Sequence, residues 1–244
     1  MNKFLILGAT SAVARSFCER VISKGSQLVL VGRSEDKINS LKNHYNTIKP
    51  GSVIHTFILD FNHTDNHHEL ATILKSCKIT NVLCAWGILG NDKRAQVESS
   101  HALEIINSNF TSYVSVLATL TPYFEKLKKG SIIVITSVAG DRGRQSNYTY
   151  GSAKGALSIY LDGMRHRFAN SKVSIIDIKP GFIDTPMTAN FKKGLLWAKP
   201  ETIAKDIDNA IIKSLPKIYT PFFWRYIMYI IKNIPFKVFR KLNI

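Results

Sequence analysis

The chain has 244 residues, of which 45% are hydrophobic and 20% are charged. This composition is close to average globular usage, so global disorder, collagen-like repeats and an integral membrane bundle are not expected. The 33 Lys and Arg against 17 Asp and Glu give a formal net charge of +16, which indicates an anionic partner such as nucleic acid, a phosphorylated cofactor or an acidic membrane surface.

Short runs of β-branched and aliphatic residues alternate with longer segments of helical periodicity, which is the pattern of a parallel sheet flanked by helices. This order predicts one Rossmann-type, doubly wound α/β domain of about seven strands over residues 1–218. We expect strands at 3–7, 27–31, 53–59, 80–84, 131–136, 173–178 and 217–220. We expect helices at 12–24, 35–47, 65–77, 99–127 with a break near Ser112, 150–169 and 200–214.

A glycine turn with the sequence GATSAVA follows the first strand. Gly8 permits the tight turn, and the small residues after it let a phosphate group approach the helix N-terminus, where free N–H groups favour anions. The turn indicates a dinucleotide site, although an ordinary strand-to-helix turn is the alternative because alanines replace two glycines of the usual pattern. The cofactor candidates in this turn are Gly8, Thr10, Ser11, Ala12 and Val13.

The ends of the next three strands carry further cofactor candidates. Arg33 follows the second strand, where a cofactor with a free ribose 2′-hydroxyl is usually met by an acid, so it favours NADP(H) over NAD(H). A solvated arginine is the alternative. Asp60 and Phe61 follow the third strand, where the carboxylate could hold an adenine amino group. Gly87 follows the fourth strand and would let the cofactor pass close to the backbone.

A candidate catalytic set lies in the second half of the chain. Tyr150 and Lys154 are four residues apart, so on a helix they share one face. Tyrosine is a weak acid with a reference pKa of about 10, and a positive neighbour stabilises its phenolate. Ser137 ends the fifth strand and could hold a substrate carbonyl oxygen, while Asn109 lies on a helical segment that otherwise reads as core. The alternative for Asn109 is an ordinary surface amide.

The order of these residues, followed by Pro180-Gly181-Phe182-Ile183-Asp184-Thr185, resembles the short-chain dehydrogenase/reductase family over nearly the whole chain. The resemblance implies hydride transfer at a nicotinamide, with Tyr150 as general acid/base and Ser137 orienting the carbonyl. It also implies that Lys154 binds the nicotinamide ribose and lowers the tyrosine pKa, and that Asn109 holds a relay water. The family assigns Pro180, Gly181, Ile183 and Thr185, with Tyr150 and Lys154, to the cofactor.

Two departures from the family pattern concern the support of the cofactor. Ala12 and Ala14 replace glycines, and the sequence CAWG at 84–87 replaces the usual NNAG. These departures lie outside the candidate catalytic residues, so they affect the expected geometry of cofactor binding more than the expected hydride-transfer chemistry.

Two segments fall outside the strand and helix alternation. Residues 184–199 form a mixed apolar and basic insertion that is typical of a mobile lid. The tail, residues 219–244, carries five positive charges and no acid. A helix over 222–233, broken by Pro235, would gather an apolar face suited to a membrane interface: Phe223, Ile227, Ile230, Ile231 and Ile234. The alternative is that the tail packs on its own domain or on a second subunit.

The glycine turn, the GRS sequence and the tail resemble a subgroup of the family that includes decaprenylphosphoryl-2-keto-pentose reductases. This resemblance implies a keto sugar on a polyprenyl phosphate as substrate and a role in cell-envelope polysaccharide synthesis. One alternative is a reductase of soluble or carrier-bound ketones of the 3-oxoacyl type. Another is a nicotinamide-binding sensor without catalysis, which the intact Ser137, Tyr150 and Lys154 argue against.

The remaining expectations concern location and partners. The apolar start is too short for a signal peptide and no window suits a spanning helix, so we expect a cytoplasmic protein with peripheral contact to the inner face of the membrane. The three cysteines are expected to be reduced, and no metal site is predicted. The family implies a homo-oligomer. Nucleic acid is not expected as a partner, because the cations of the tail alternate with isoleucines rather than following a polar groove.

Overall fold

One parallel sheet of seven strands forms the centre of the molecule, in the order β3-β2-β1-β4-β5-β6-β7. The structure is a computed structural model that describes residues 2–189 and 191–242; residues 1, 190, 243 and 244, which belong to the predicted domain, lid and tail, lie outside the described residues. The chain order reverses between β1 and β4, which creates the crevice where ligands bind in such sheets. The predicted doubly wound fold is confirmed. The strands are β1 (Lys3–Leu7), β2 (Gln27–Gly32), β3 (Ile54–Ile58), β4 (Asn81–Cys84), β5 (Lys129–Ile135), β6 (Lys172–Pro180) and β7 (Lys217–Thr220).

Helices cover both faces of the sheet. The α-helices are α1 (Ala12–Ser23), α2 (Glu35–Ile48), α3 (Glu69–Ser76), α4 (Asp92–Ala95), α5 (Ser99–Ile106), α6 (Ser112–Leu127), α7 (Tyr148–Arg167), α8 (Pro200–Ile212), α9 (Trp224–Asn233) and α10 (Phe236–Phe239). Short 3₁₀-helices occur at Thr64–Asn66, Val138–Asp141 and Pro186–Thr188. Within the described ranges, no helix combines the length and apolar character needed to cross a bilayer.

The core consists of two layers, because successive strand residues point to opposite faces of the sheet. Phe4 and Ile6 of β1 pack with α1, α2 and α8, whereas Leu5 and Leu7 pack with α3, α6 and α7. This two-sided burial explains why the strands read as continuous hydrophobic runs. It also fixes all the strand ends that carry the polar candidates at one edge of the sheet.

A π-helix at Asn107–Thr111 joins α5 to α6, close to the predicted break near Ser112. A π-helix inserts an extra residue into the helical ladder and is frequent at functional sites. Here the extra residue rotates Asn109 into the interior, where its side chain is fully buried.

The tail begins inside the sheet, because β7 continues to Thr220, two residues beyond the predicted domain limit. In α9, Trp224 and Met228 are buried against Val138, and Phe223 is among the half-buried residues beside them. The predicted apolar face is wrong in part, since Ile230 lies outside this contact and is 64% exposed. The reason is that the inner face of α9 covers the 3₁₀-helix at 138–141, and so packs on its own domain.

Arg142 fastens the end of α9 to the domain. Its Nη1 donates hydrogen bonds to the carbonyl oxygens of Ile231 and Ile234, the latter at 2.7 Å. Its guanidinium lies 3.7 Å from the ring centroid of Phe239 in α10. The residue therefore satisfies carbonyl groups at the helix C-terminus, where a cation is also favoured by the helix dipole.

The predicted lid leaves and rejoins the domain at one point. Ile183 and Ala198 form a parallel β-bridge, and Asp184 N donates to Ala198 O at 2.9 Å. Beyond this closed base, Leu195 is fully exposed and Phe191 is half exposed. The segment is thus anchored at its base and presents apolar side chains to solvent.

Candidate active site

A cavity of about 320 Å³ opens at the carboxyl edge of the sheet. Its walls come from the glycine turn, the segments after β4, β5 and β6, the start of α7 and the lid. Among the described residues that line it, the charged side chains are Lys154 and Arg144, and none is Asp or Glu. The cavity is therefore electropositive.

The glycine turn places the N-terminus of α1 on the cavity wall. Gly8 has φ +79°, and a Cβ on it would lie 2.8 Å from the backbone nitrogen of Trp86, so a larger residue would push the two strand ends apart. Ser11 caps α1 by accepting a hydrogen bond from Ala14 N at 3.2 Å. The first turn of α1 holds no acid, so its free N–H groups offer an anion site. The cavity is lined here by Thr10, Ser11, Ala12 and Val13.

The remaining candidates for the far end of a dinucleotide lie beside the cavity rather than in its wall. Gly8, Arg33, Asp60 and Phe61 are not among the lining residues. Arg33 is exposed at the end of β2 and has no hydrogen bond or ion pair within the described part of the chain. Asp60 is half-buried and accepts a hydrogen bond from Asn62 N at 3.0 Å.

The sequence CAWG at 84–87, which departs from the family pattern, places Trp86 in an aromatic stack that was not predicted from the sequence. The Trp86 ring lies 3.7 Å from that of Tyr113 and 4.5 Å from that of Phe61, measured between centroids. Trp86 Nε1 donates to Ser112 Oγ at 3.0 Å, and the Tyr113 hydroxyl donates to Trp86 O. The stack joins the segment after β3 to α6, and its Trp86 lines the cavity.

Asn109, Ser137, Tyr150 and Lys154 form the candidate tetrad, and Asn109 carries an unused hydrogen-bond acceptor. Its Nδ2 donates to Ile88 O at 2.7 Å and to Ile105 O at 2.9 Å, while its Oδ1 is buried without a partner in the described chain. Gly87 has φ +143°, and a Cβ there would lie 2.5 Å from Asn109 Oδ1 and 3.7 Å from Lys154 Nζ. The glycine thus keeps open the space between the amide and the lysine.

Ser137 and Tyr150 lie close together because the 3₁₀-helix at 138–141 and α7 pack with their backbones in contact. Ser137 follows β5, and its Oγ accepts from Ala139 N at 3.1 Å at the start of the 3₁₀-helix. A Cβ on Gly140 would lie 2.6 Å from Gly155 N, so only glycines allow this helix to approach α7 so closely. A hydrogen bond to the Ser137 side chain lowers the pKa of Tyr150, but the larger effect of burial raises it to about 12.

Lys154 lies one helical turn from Tyr150 and is buried. Its Nζ donates to Ile135 O at 3.1 Å, and lies 4.8 Å from the ring centroid of Tyr113 and 6.0 Å from that of Tyr150. Burial lowers the pKa of Lys154 to about 7, against an opposing effect of the Asp177 and Cys84 charges. The amine can therefore both hold and release a proton near neutral pH.

The segment after β6 forms the roof of the cavity. Pro180, Gly181, Ile183 and Thr185, which the family resemblance assigns to the cofactor, all line it. Gly181 N donates to Thr220 O at 3.0 Å, and a Cβ on Gly181 would overlap the Trp224 ring. The tail helix therefore packs directly against the roof segment at Gly181.

The sequence prediction missed several cavity residues, and two of these have a buried polar atom without a hydrogen-bond partner in the described chain. Arg144 and Asn147 lie in the loop between the 3₁₀-helix and α7, and both line the cavity. Arg144 Nε and Asn147 Oδ1 are buried without hydrogen-bond partners in the described chain. Their position between Ser137 and Tyr150, in the segment DRGRQSN, was the available signal. Within the same described residues, no cluster of three or more His, Cys, Asp or Glu side chains could hold a metal ion.

Comparison with known proteins places this geometry in context. The chain matches the short chain dehydrogenase family model over residues 2–195. An uncharacterized oxidoreductase of Mycobacterium tuberculosis is 27% identical over 242 residues, which are 98% of this chain and 96% of that protein. A solved short-chain dehydrogenase from Sphingobium yanoikuyae in complex with NADPH covers 97% of both chains with TM-score 0.82 and 17% identity. An actinorhodin polyketide ketoreductase with NADPH has TM-score 0.79 and 14% identity, and covers 90% of this chain and 95% of that one.

Proposed function

Because the chain belongs to the short-chain dehydrogenase family of oxidoreductases, we propose that it is an NADP(H)-dependent reductase that converts a ketone into a secondary alcohol. The observation that carries this proposal is the convergence of Asn109, Ser137, Tyr150 and Lys154 on one cavity. A nicotinamide-binding sensor would not need this set, since it has no use for a positioned proton donor.

The residues around the cavity suit a phosphorylated dinucleotide. The N-terminus of α1 offers free N–H groups for a pyrophosphate, and the electropositive wall attracts it. Arg33 is exposed and free of protein partners in the described chain, so it is available for a 2′-phosphate. This favours NADP(H), with NAD(H) as the weaker alternative. Lys154 and the roof residues would hold the nicotinamide half, which when bound supplies the hydride.

Tyr150 acts as the proton donor in this mechanism. Burial raises its pKa to about 12, so the phenol stays protonated at neutral pH and can give its proton to the carbonyl oxygen. Ser137 donates a hydrogen bond to the same oxygen and orients it. Asn109 Oδ1 accepts from a water that returns a proton towards Lys154 across the space beside Gly87.

The test is NADPH consumption by the purified protein on a panel of ketones, with Tyr150→Phe beside the wild type. General acid catalysis is worth about 10²- to 10⁴-fold, so kcat/KM should fall by at least about a hundredfold while the NADPH dissociation constant stays within about twofold. Equal turnover by both proteins, or failure of the wild type to bind NADPH, would contradict the proposal.

The finer proposal concerns the substrate, which we place among keto sugars carried on a polyprenyl phosphate in cell-envelope synthesis. Support comes from the mouth of the cavity, where Phe182, Met187 and Phe191 are exposed apolar residues next to a positive interior. A cavity opening of this kind suits a substrate with an apolar chain and an anionic group. A reductase of soluble or carrier-bound ketones is the second candidate, and side-by-side turnover of the two substrate types separates them.

The tail supports the same proposal through its outer surface. Three aromatic side chains of this surface, Phe222 just before α9, Tyr229 on α9 and Phe236 on α10, are each more than 70% exposed. The basic residues of the tail are Arg225, Lys232, Lys237, Arg240 and Lys241, all exposed. We propose that this outer face binds an anionic lipid surface, because the tail contains basic residues and no acidic ones. Each Lys or Arg near such a surface contributes about 1 kcal/mol to binding.

Vesicle sedimentation tests the tail surface. Binding to vesicles that contain phosphatidylglycerol should weaken at least about tenfold when the five tail cations become Gln, and should be absent on pure phosphatidylcholine. The control exchanges five exposed lysines elsewhere for Gln, at Lys37, Lys75, Lys78, Lys126 and Lys172. Equal loss in both variants would show a general charge effect and overturn the assignment. This proposal implies that the enzyme is located in the cytoplasm, at the inner face of the membrane.

A homo-oligomer completes the proposal. Ile159 on α7 and Leu103 on α5 are 74% and 63% exposed, and α5 packs beside α7. These exposed apolar side chains suit a contact between two copies. Sedimentation velocity of the wild type and of Ile159→Asp tests it: the variant should sediment as a smaller species, and a wild type that is already monomeric would contradict the proposal.

A further inference from the structure

We infer that Arg144, with Asn147 beside it, forms an anion-binding subsite that holds a phosphate or carboxylate group of the substrate. The inference rests on the proposed reductase function and narrows its substrate to anionic, hydroxylated ketones. It adds a specificity-determining pair to a site whose proton-transfer residues are already assigned.

The position of Arg144 is fixed by a turn. Asn147 N donates to Arg144 O at 3.2 Å, which closes residues 144–147 between the 3₁₀-helix and α7. The guanidinium is half-buried in the cavity wall, and its Nε is wholly buried without a partner in the described chain. Its one hydrogen bond runs from Nη2 to Met228 Sδ at 3.5 Å, and a thioether is a weak acceptor.

No carboxylate of the described residues forms an ion pair with this arginine. Asp141 is the acid whose charge reaches it, but both Asp141 oxygens are already engaged: Oδ1 accepts from Lys179 Nζ and Oδ2 from the Tyr219 hydroxyl at 2.7 Å. The cavity wall contains no Asp or Glu among its described residues, and the tail helix packed against Arg144 brings no acid. Burying a cation with unmet donors is costly, and an anionic ligand removes that cost.

Asn147 supplies the second half of the recognition. Its Oδ1 is buried in the same cavity, has no partner among the described atoms, and does not cap α7. A buried amide oxygen accepts from a hydroxyl, so the pair fits an anion with a hydroxyl nearby. Phosphorylated keto sugars and hydroxylated keto acids both share this chemistry, and the test below separates them.

Matched ketone pairs test the selectivity. Dihydroxyacetone phosphate is compared with dihydroxyacetone, and 5-hydroxy-4-oxopentanoate with its methyl ester, using the wild type, Arg144→Gln and Arg144→Lys. The control is Lys126→Gln, an exposed lysine of α6 with no hydrogen bond or ion pair in the described chain. We expect the wild type to prefer the anionic member of at least one pair at least about tenfold in kcat/KM.

Arg144→Gln should remove that preference through KM, leave the neutral ketones within about twofold, and be partly rescued in Arg144→Lys. Loss on neutral and anionic ketones alike, or a preference that survives in Arg144→Gln, would overturn the inference. The pair that shows the preference identifies phosphate or carboxylate as the group bound.

A binding measurement keeps the inference separate from the proposed function. Calorimetry with inorganic phosphate should show weaker binding by Arg144→Gln than by the wild type and Lys126→Gln, since any contribution of the cofactor site is common to all three. If no ketone is reduced, the proposed function fails while this comparison still decides the subsite. Identical phosphate binding in the three proteins would then overturn it.

Discussion

Burial acts in opposite directions on the two proton-transfer groups of the site. It raises the pKa of Tyr150 to about 12 and lowers that of Lys154 to about 7, because a low-dielectric environment disfavours either charged form. At the residue scale, burial therefore keeps the Tyr150 phenol protonated at neutral pH and brings Lys154 close to its own pKa.

Substitution of Gly87 tests whether the space between Asn109 and Lys154 must stay open. In Gly87→Ala the added Cβ would lie 2.5 Å from Asn109 Oδ1, at φ +143°, so we expect stability to fall by about 1–3 kcal/mol and kcat to fall at least about tenfold. Denaturant unfolding and steady-state kinetics measure the two effects. The control is Gly163→Ala in α7, where the Cβ meets no atom within 4 Å, and where alanine should stabilise the helix by about 0.5–1 kcal/mol. Unchanged kinetics in Gly87→Ala would mean that Asn109 is not needed in place.

The tetrad could be predicted from sequence because its logic is local. Tyr150 and Lys154 are related by helical spacing, and Ser137 by the end of a strand. Arg144 could not be predicted in the same way, since its burial depends on contact with Met228, 84 positions later. Only the folded chain shows that this loop arginine lies in a cavity without a carboxylate.

At the scale of elements, α9 shows why hydrophobic periodicity identified its inner face only in part. Trp224 and Met228 point inward, but Tyr226, Tyr229 and Ile230 on the other side are also apolar and are exposed. A helix with apolar residues on both sides has two candidate inner faces. The π-helix at 107–111 escaped prediction for a related reason, because its widened ladder has no residue-type signature of its own.

Arg142 provides the test of how α9 is held. Replacing it in Arg142→Gln removes charge-assisted hydrogen bonds to Ile231 O and Ile234 O and the contact with Phe239. Such bonds are worth about 1.5 kcal/mol at the low end, so the amides of α9 should exchange with deuterium about tenfold faster, with exchange in α1 and α6 unchanged. Arg240→Gln serves as control. Uniform acceleration throughout the protein, or none, would show that Arg142 does not fasten this helix.

For the whole molecule, the depressed pKa of Lys154 has a consequence for stability. Between pH 7 and its ordinary value of 10.5, the unfolded chain binds a proton that the folded chain does not, so the free energy of unfolding rises with pH. The buried thiols of Cys18 and Cys84 have pKa values raised by burial and oppose this trend at higher pH. The usable window is therefore about pH 7 to 8.5.

Within that window we expect the free energy of unfolding to rise by on the order of 1–2 kcal/mol from Lys154, given a limit of about 1.36 kcal/mol per pH unit for one proton. Urea titrations of the cofactor-free protein at several pH values measure it, with Lys154→Met beside the wild type. The variant should lose this contribution. Parallel curves for the two proteins would show that Lys154 keeps an ordinary pKa in the fold.

The β-bridge between Ile183 and Ala198 separates the sheet from a stretch whose length the sheet does not constrain. Because the chain departs and returns at that single rung, the length and composition of the intervening stretch place no demand on the sheet. Insertions, deletions or grafts there leave the strands and their register alone. Divergence of specificity between related enzymes, and its deliberate redesign, can therefore proceed in this stretch without an evolutionary penalty in folding.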